Sequence, residues 1–425
     1  MVDRTTPPAL HNLGDISLAP EEIIQAGDCR LHVLKAGGQE VSRLTLLWDG
    51  GSADVASRWL PEMVAEGMRE GSAKMSGAEI ADVIDSRGAK YGSRCDAHFT
   101  GIEILALNRH FEGLLPVLSE ICINPLYEPR TVEILSRNAA STAALRRHRV
   151  AYLAARELNV HLKGANHPDN ADDDPERIAQ TTAEEVVACH TAVIGSGCLE
   201  AYLCGTPGDS LVASVADMVA GMARGSRKSI IDIRPYVPEE PVRKDLYLEG
   251  ACQAAVSAGM PAIGRPAPDY IALRLAVMAL GGFFSSRLMS KIREEKGLTY
   301  GISAYLSGTY EGASVHVEAQ CDAEYMEQVI DETRREIARM AVEPPSGEEL
   351  QRLKMHAWSD LASITDSPFS MAANYISRKT FGMPADYFER QLQEIRSLTP
   401  ERLAEVSARY LNPERLSVVT CSPKT

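Results

Sequence analysis

The sequence predicts an α+β protein built as two homologous halves, each a mostly antiparallel sheet flanked by helices. Three observations carry that prediction. Stretches with strand-type alternation and stretches with helical periodicity alternate along the whole chain. The same order of elements occurs twice. A short motif recurs at the same point of both runs: Arg87-Gly88-Ala89-Lys90-Tyr91-Gly92 and Lys296-Gly297-Leu298-Thr299-Tyr300-Gly301 each follow a helical stretch and precede two strand candidates and a helix.

The elements of the first run follow from local chemistry. Residues 41–48 (VSRLTLLW) alternate as a strand and end at Asp49-Gly50-Gly51. Residues 59–68 read as a helix. Ser76-Gly77-Ala78-Glu79 has the capping-box spacing, so a second helix starts there, continues through Ile80, Val83 and Ile84, and stops near Gly88. Strands are expected over 90–95 and 100–107, and helices over 110–123 and, with one break, 131–163. The second run begins with a strand over 251–258 and a helix over 269–280 that ends at Gly281-Gly282. It continues with a helix over 286–295, strands over 300–306 and 313–319, and helices over 323–340 and from 347 onward. Residues 223–240, with Pro235, Pro238 and no clear periodicity, read as the link between an N-terminal half, 1–222, and a C-terminal half, 241–425.

Composition excludes several classes of function. The 425 residues include 45% hydrophobic and 24% charged residues, as in an ordinary globular protein. A net charge of −14 disfavours binding to nucleic-acid phosphates and leaves cationic peptides as acceptable ligands. No apolar run approaches the roughly 18 residues that a membrane span requires. The first twenty residues are polar, are broken by Pro7, Pro8 and Pro20, and lack a basic segment followed by an apolar one. The expected location is cytoplasmic, or periplasmic if a leader has been removed. Nine scattered cysteines without a Cys-x-x-Cys pair support neither a zinc ribbon nor a thioredoxin-type centre.

The most specific text is 284–300, FSSRLMSKIREEKGLTY. It resembles the second-half signature of the insulinase and pitrilysin family, which includes the mitochondrial processing peptidases. The resemblance extends over most of the chain. Residues 41–51 resemble the family's first strand, 60–72 its zinc helix, Ala165-Asn166-His167-Pro168 a recurring turn, and 198–205 (CLEAYLCG) the last strand of the first half. Active members carry His-x-x-Glu-His on the first-half helix. Its two histidines bind zinc, its glutamate acts as general base, and a further downstream glutamate completes the ligands. Alignment through Gly71-Ser72 puts Glu62, Met63, Val64, Ala65 and Glu66 at the five motif positions, and Ala143 or Ala144 at the downstream ligand. The degenerate positions are therefore Glu62, Ala65 and Glu66. No metal ligand and no cofactor are expected in this chain.

The resemblance assigns the other half of the site to Arg293 and Tyr300, two donors suited to a substrate carbonyl or a developing oxyanion. The residue-level alternative is that Arg293 pairs locally with Glu294 or Glu295 and that Tyr300 is an ordinary strand residue. The leading expectation is a non-catalytic subunit of a heteromeric metalloendopeptidase that acts on short unfolded peptides. Zinc would be held only by a His-x-x-Glu-His-bearing partner. A peptide-binding or scaffold protein, possibly a homodimer, is the first alternative. An autonomous hydrolase that uses a carboxylate metal site or a cysteine is the second. Glu62 and Glu66 as a cation pair, Asp172-Asp173-Asp174 as a cation site, and Cys189-His190 or Cys95-Asp96-Ala97-His98 as thiol centres each compete with a purely structural reading.

Overall fold

The structure, a computed structural model, describes residues 13–171, 173–222, 225, 236–308 and 312–424. Eleven strands form two sheets among the described residues. The first sheet contains β1 (Glu22–Ala26), β2 (Cys29–Lys35), β3 (Val41–Asp49), β4 (Lys90–Cys95), β5 (Phe99–Leu107) and β6 (Leu199–Gly205), in the order β1-β2-β6-β3-β5-β4. The second contains β7 (Arg243–Leu248), β8 (Ala254–Ala262), β9 (Gly301–Gly308), β10 (Ala313–Cys321) and β11 (Ser417–Pro423), in the order β7-β11-β8-β10-β9.

Apart from β1, the two orders superimpose strand for strand. The pairs β2–β6 and β7–β11 are parallel, and the other neighbours are antiparallel. The recurring motif falls at equivalent points. Gly88 (φ 60) and Gly297 (φ 64) both take the left-handed conformation that lets a helix turn into an edge strand, β4 in one half and β9 in the other.

The helices that matter for the site are α1 (Leu60–Gly67), α2 (Gly77–Ser86), α3 (Pro129–Arg147), α4 (Val150–Lys163), α5 (Tyr270–Gly281), α6 (Met289–Glu295) and α7 (Pro368–Thr380). The expected capping box opens α2: the Ser76 hydroxyl accepts from the Glu79 backbone, and the Glu79 carboxylate accepts from the Ser76 N–H at 2.8 Å. The helix expected over 286–295 has the wide π geometry over α6. The helix expected over 110–123 is instead two short helices, Asn108–Phe111 and Leu115–Ile123, joined by a 3₁₀ turn. Pro116 lacks the N–H that a continuous helix would need there, and it sits in the first turn of the second piece.

The strand expected over 251–258 begins later, at Ala254, because Glu249 and Gly250 form a turn and Gly250 has φ 74. Strands β1, β2, β7 and β11 went unrecognised in the sequence. β7 is an edge strand with mostly exposed residues, so it shows no buried stripe. Of the proposed link 223–240, residues 223, 224 and 226–235 lie outside the described residues, while 236–240 form irregular chain.

The two halves exchange helices. Although α4 belongs to the first run, its buried Val150, Ala154, Leu158 and Leu162 pack on Ala255, Val419 and Cys421 of the second sheet. Conversely, Met371 and Ala372 of α7 pack on Leu34 and Cys204 of the first sheet, and Ile376 packs on Leu47, Phe99 and Tyr202. A buried polar group closes the second contact. His32 Nδ1 lies 2.8 Å from Glu21, and Lys379 Nζ from α7 lies 2.6 Å from the same ring nitrogen. Leu158 is fully buried in the exchanged seam. Leu158→Ala is therefore expected to cost about 2–5 kcal/mol, read from the midpoint of urea unfolding. A loss below about 1 kcal/mol would show that α4 is not firmly seated.

Candidate functional site

In the first half, α1 carries Glu62, Ala65 and Glu66, the positions expected to stand in for a zinc motif, beside edge strand β4. Ala65 is fully buried, and its carbonyl accepts a 2.5 Å hydrogen bond from the Tyr91 hydroxyl of β4. Glu66 accepts from the Ser93 hydroxyl at 2.6 Å and lies 3.2 Å from the Arg69 guanidinium. Glu62 is exposed to solvent yet crowded by protein on one side. That crowding pushes its carboxyl above the usual range, the charges of Arg146 and Arg58 oppose the shift, and Glu66 adds to it.

Ala143, at the position of the downstream ligand, is buried on α3. The residues present do not fit zinc. They offer no imidazole or thiolate, one carboxylate is already engaged, and two alanines occupy required positions. Among the described residues, no group of three His, Cys, Asp or Glu side chains is placed to hold a metal ion. Arginines thus supply the positive charge that this helix face needs.

In the second half, a groove of about 550 Å³ runs across β8, β10 and β9 between α4 and α6. Ala151 of α4 borders one side and Met289 of α6 is also in its wall. Its polar lining comes from Gln253, Ser257, Ser303, Glu318, Gln320 and Tyr300. Register explains the convergence: Ser303 and Ser257 flank Glu318, and Gly301 lies opposite Gln320. The Tyr305 hydroxyl donates to Glu318 at 2.8 Å. Tyr300 is 91% exposed at the start of edge strand β9.

Arg293 is not in the groove wall. Its guanidinium lies over the exposed Phe284 ring, 5.0 Å from the ring centre. The local ion pair is made by Lys291 with Glu295 instead, at 2.6 Å. The structure therefore brings Tyr300, but not Arg293, to the groove. Of the lining residues, Gln253, Ser257, Ser303, Glu318 and Gln320 escaped the sequence reading. One signal was available: β10 carries Ser314, His316, Glu318 and Gln320 at period two while its alternate positions are apolar.

The competing centres resolve as structural. Asp173 receives the Tyr152 hydroxyl and the Arg147 and Arg156 guanidiniums. Burial would raise its pKa, but these partners hold it below the usual range. Asp172 lies outside the described residues, and Asp174 faces Arg147 at 3.6 Å. Burial pushes the thiols of Cys95 and Cys189 up to about 12, far from an activated nucleophile. His190 spends its Nε2 on the Cys122 carbonyl at 3.2 Å.

With this geometry in view, comparison with known proteins gives one family. Residues 180–356 match the family described as the peptidase M16 inactive domain. The match to that family covers the 177 residues 180–356 of the 425. A 100-residue segment is 33% identical to an uncharacterized zinc protease of Streptomyces coelicolor, a match that covers 24% of this chain and only 22% of that protein. A solved peptidase M16 inactive domain from Pseudomonas fluorescens shares the fold, with TM-score 0.85 and 20% identity over 95% of this chain and 98% of that one. The periplasmic protease PqqL from Escherichia coli also shares it, with TM-score 0.78 and 14% identity; the match covers all of this chain and 49% of that one. The chain contains no His-x-x-Glu-His sequence.

Two outcomes follow for α1. Because desolvation raises the Glu62 pKa, its ionised form costs folding stability at neutral pH, and the cost disappears once pH falls below the unfolded carboxylate range. Glu62→Gln should therefore raise the melting temperature at pH 7 and leave it unchanged near pH 3.5. Ala65→Glu forces a carboxylate into a fully buried position. It should destabilise by about 3 kcal/mol or more in denaturant unfolding.

Proposed function

We propose that this chain is the non-catalytic subunit of a heteromeric metalloendopeptidase that acts on short unfolded peptides. A partner with an intact His-x-x-Glu-His helix supplies zinc and the general base. This chain supplies the second-half surface that holds the peptide. The observation that carries the reading is the groove beside β9, with Tyr300 exposed at its mouth and β9 at the edge of its sheet. An extended peptide adds as a strand at such an edge, and the amide and hydroxyl side chains of the groove receive its polar groups. Tyr300 donates to a substrate carbonyl, and Arg293, carried one turn before Gly297 and stacked on Phe284, donates beside it once peptide and partner are in place. PqqL supports the arrangement in one respect: its chain is about twice the length that this fold occupies.

The test is reconstitution with a zinc-motif homologue and an internally quenched peptide. The chain alone should be inactive. The mixture should cleave, and the activity should be lost to a chelator. Tyr300→Phe and Arg293→Met should each lower kcat by about 10–100-fold without weakening assembly. Recovery of only self-dimers, with peptide binding but no cleavage in any mixture, would favour the scaffold role. Chelator-sensitive cleavage by the chain alone that depends on Glu62 or Glu66 would overturn the proposal.

A further inference from the structure

Half-buried arginines in this protein generally have carboxylate partners. Arg43 faces Glu103, Arg147 faces Asp173, Arg287 faces Glu349 and Arg402 faces Asp269. Arg265, in the loop after β8, and Arg274, on α5, are exceptions, as are Arg87, Arg94 and Arg293 elsewhere; Arg265 and Arg274 differ from those three in lying within each other's field. Among the described residues, neither has a carboxylate oxygen within 4.0 Å. Carboxylates are not scarce, since the chain has 58 acidic residues against 44 basic ones. The acidic group with electrostatic influence on Arg274 is Asp360, which is half exposed and turned toward His356 at 3.8 Å.

The surroundings of the two arginines are aromatic and rich in donors. The Arg265 guanidinium lies 3.8 Å from the centre of the Phe381 ring, which fixes its plane and leaves its edge free. Its Nε is withdrawn from solvent and has no acceptor. Tyr270 and Tyr387 both lie within electrostatic reach of the two guanidiniums. Neither phenol gives its hydroxyl to a protein acceptor among the described residues. Gly308, at the end of β9, ties the wall together: a Cβ built there would stand 2.7 Å from the Tyr270 hydroxyl and 3.5 Å from Arg265 Nε. Burial depresses the Arg274 pKa, and the like charge of Arg265 depresses it further. The protein thus holds Arg274 in a desolvated setting within the field of Arg265, a cost that an anion would reduce.

We propose that Arg265 and Arg274, with the hydroxyls of Tyr270 and Tyr387, form a binding site for a phosphate-type dianion. Two guanidinium charges balance two negative charges, whereas a peptide carboxylate brings only one. The four side chains present donors and no charged acceptor, which matches an oxyanion with several acceptor oxygens. Inorganic phosphate and phosphomonoesters share this chemistry. The site is separate from the peptide groove: it lies by the end of β9 at Gly308, whereas Tyr300 precedes the start of that strand. Phe381 directly follows α7, so the ligand would tie α5 to the end of the helix that crosses to the first sheet.

Calorimetry and thermal unfolding of the whole chain in phosphate-free buffer test the site. Inorganic phosphate should bind saturably, one per chain, and raise the unfolding midpoint by several degrees. Sodium chloride at equal ionic strength should not. Arg274→Met and Arg265→Met should weaken binding at least tenfold, while Arg415→Met, at an exposed and unrelated position, should bind as wild type. If a methionine variant fails to fold, Arg265→Lys and Tyr387→Phe replace it, and each should lower the affinity. Glycerol phosphate binding more tightly than phosphate would identify a phosphomonoester ligand, and equal binding would identify free phosphate. An unchanged affinity in folded Arg274→Met, or a midpoint that responds equally to chloride, would overturn the site.

Discussion

The structure depends on the exchange of two helices between two sheets. Each sheet has a face that its own half does not cover completely. Leu158 and Leu162 of α4 reach the second sheet, and Met371 and Ile376 of α7 reach the first. Neither sheet can bury that apolar surface without the other half. The exchange also decides where function can reside. Helix α4 packs chiefly on β8 and β11 and more lightly on β10, and the groove that holds Ser303, Glu318 and Gln320 lies beside it, with Ala151 of α4 in its wall.

The helix Leu60–Gly67 carries a consistent packing and charge arrangement and not a metal site. A zinc centre needs neutral nitrogen or thiolate donors that point at one point in space. Here one motif position is a small side chain in the core, one carboxylate is held by Ser93 and Arg69, and the other sits in the field of Arg146 and Arg58. The helix keeps its packing role, with Met63, Val64 and Ala65 buried, and its outer face is balanced by charge pairs. Packing and charge balance are therefore met on the same eight residues.

Internal duplication gives the molecule two edge strands at equivalent positions, and the two have diverged. β4 is tied to α1 through the Tyr91 and Ser93 hydroxyls, which draws its side chains into the first-half packing. β9 carries an exposed tyrosine at its start and faces an open groove. The same topology thus supplies an edge strand whose side chains are tied to a helix in one half and an edge strand beside a groove in the other. Exposed edges are normally covered or charged, so an uncovered one beside a polar groove favours a binding role.

Much of this was legible in the sequence because it depends on neighbours along the chain. Capping at Ser76, the left-handed glycines at 88 and 297, and the alternation of β3 and β10 are local facts, and local sterics and hydrogen bonding enforce them. The groove and the helix exchange were not legible. Which sheet a helix covers depends on shape complementarity between segments more than ninety residues apart, and the pattern of α4 shows only that it has an apolar face. The separation of Arg293 from the groove has the same origin. Both it and Tyr300 lie in one short motif, but the wide turns of α6 and the face of Phe284 send the guanidinium away from the strand that receives the tyrosine. Sequence determined that the chain has no His-x-x-Glu-His helix; tertiary packing decided which surface remained open, because only packing fixes what covers what.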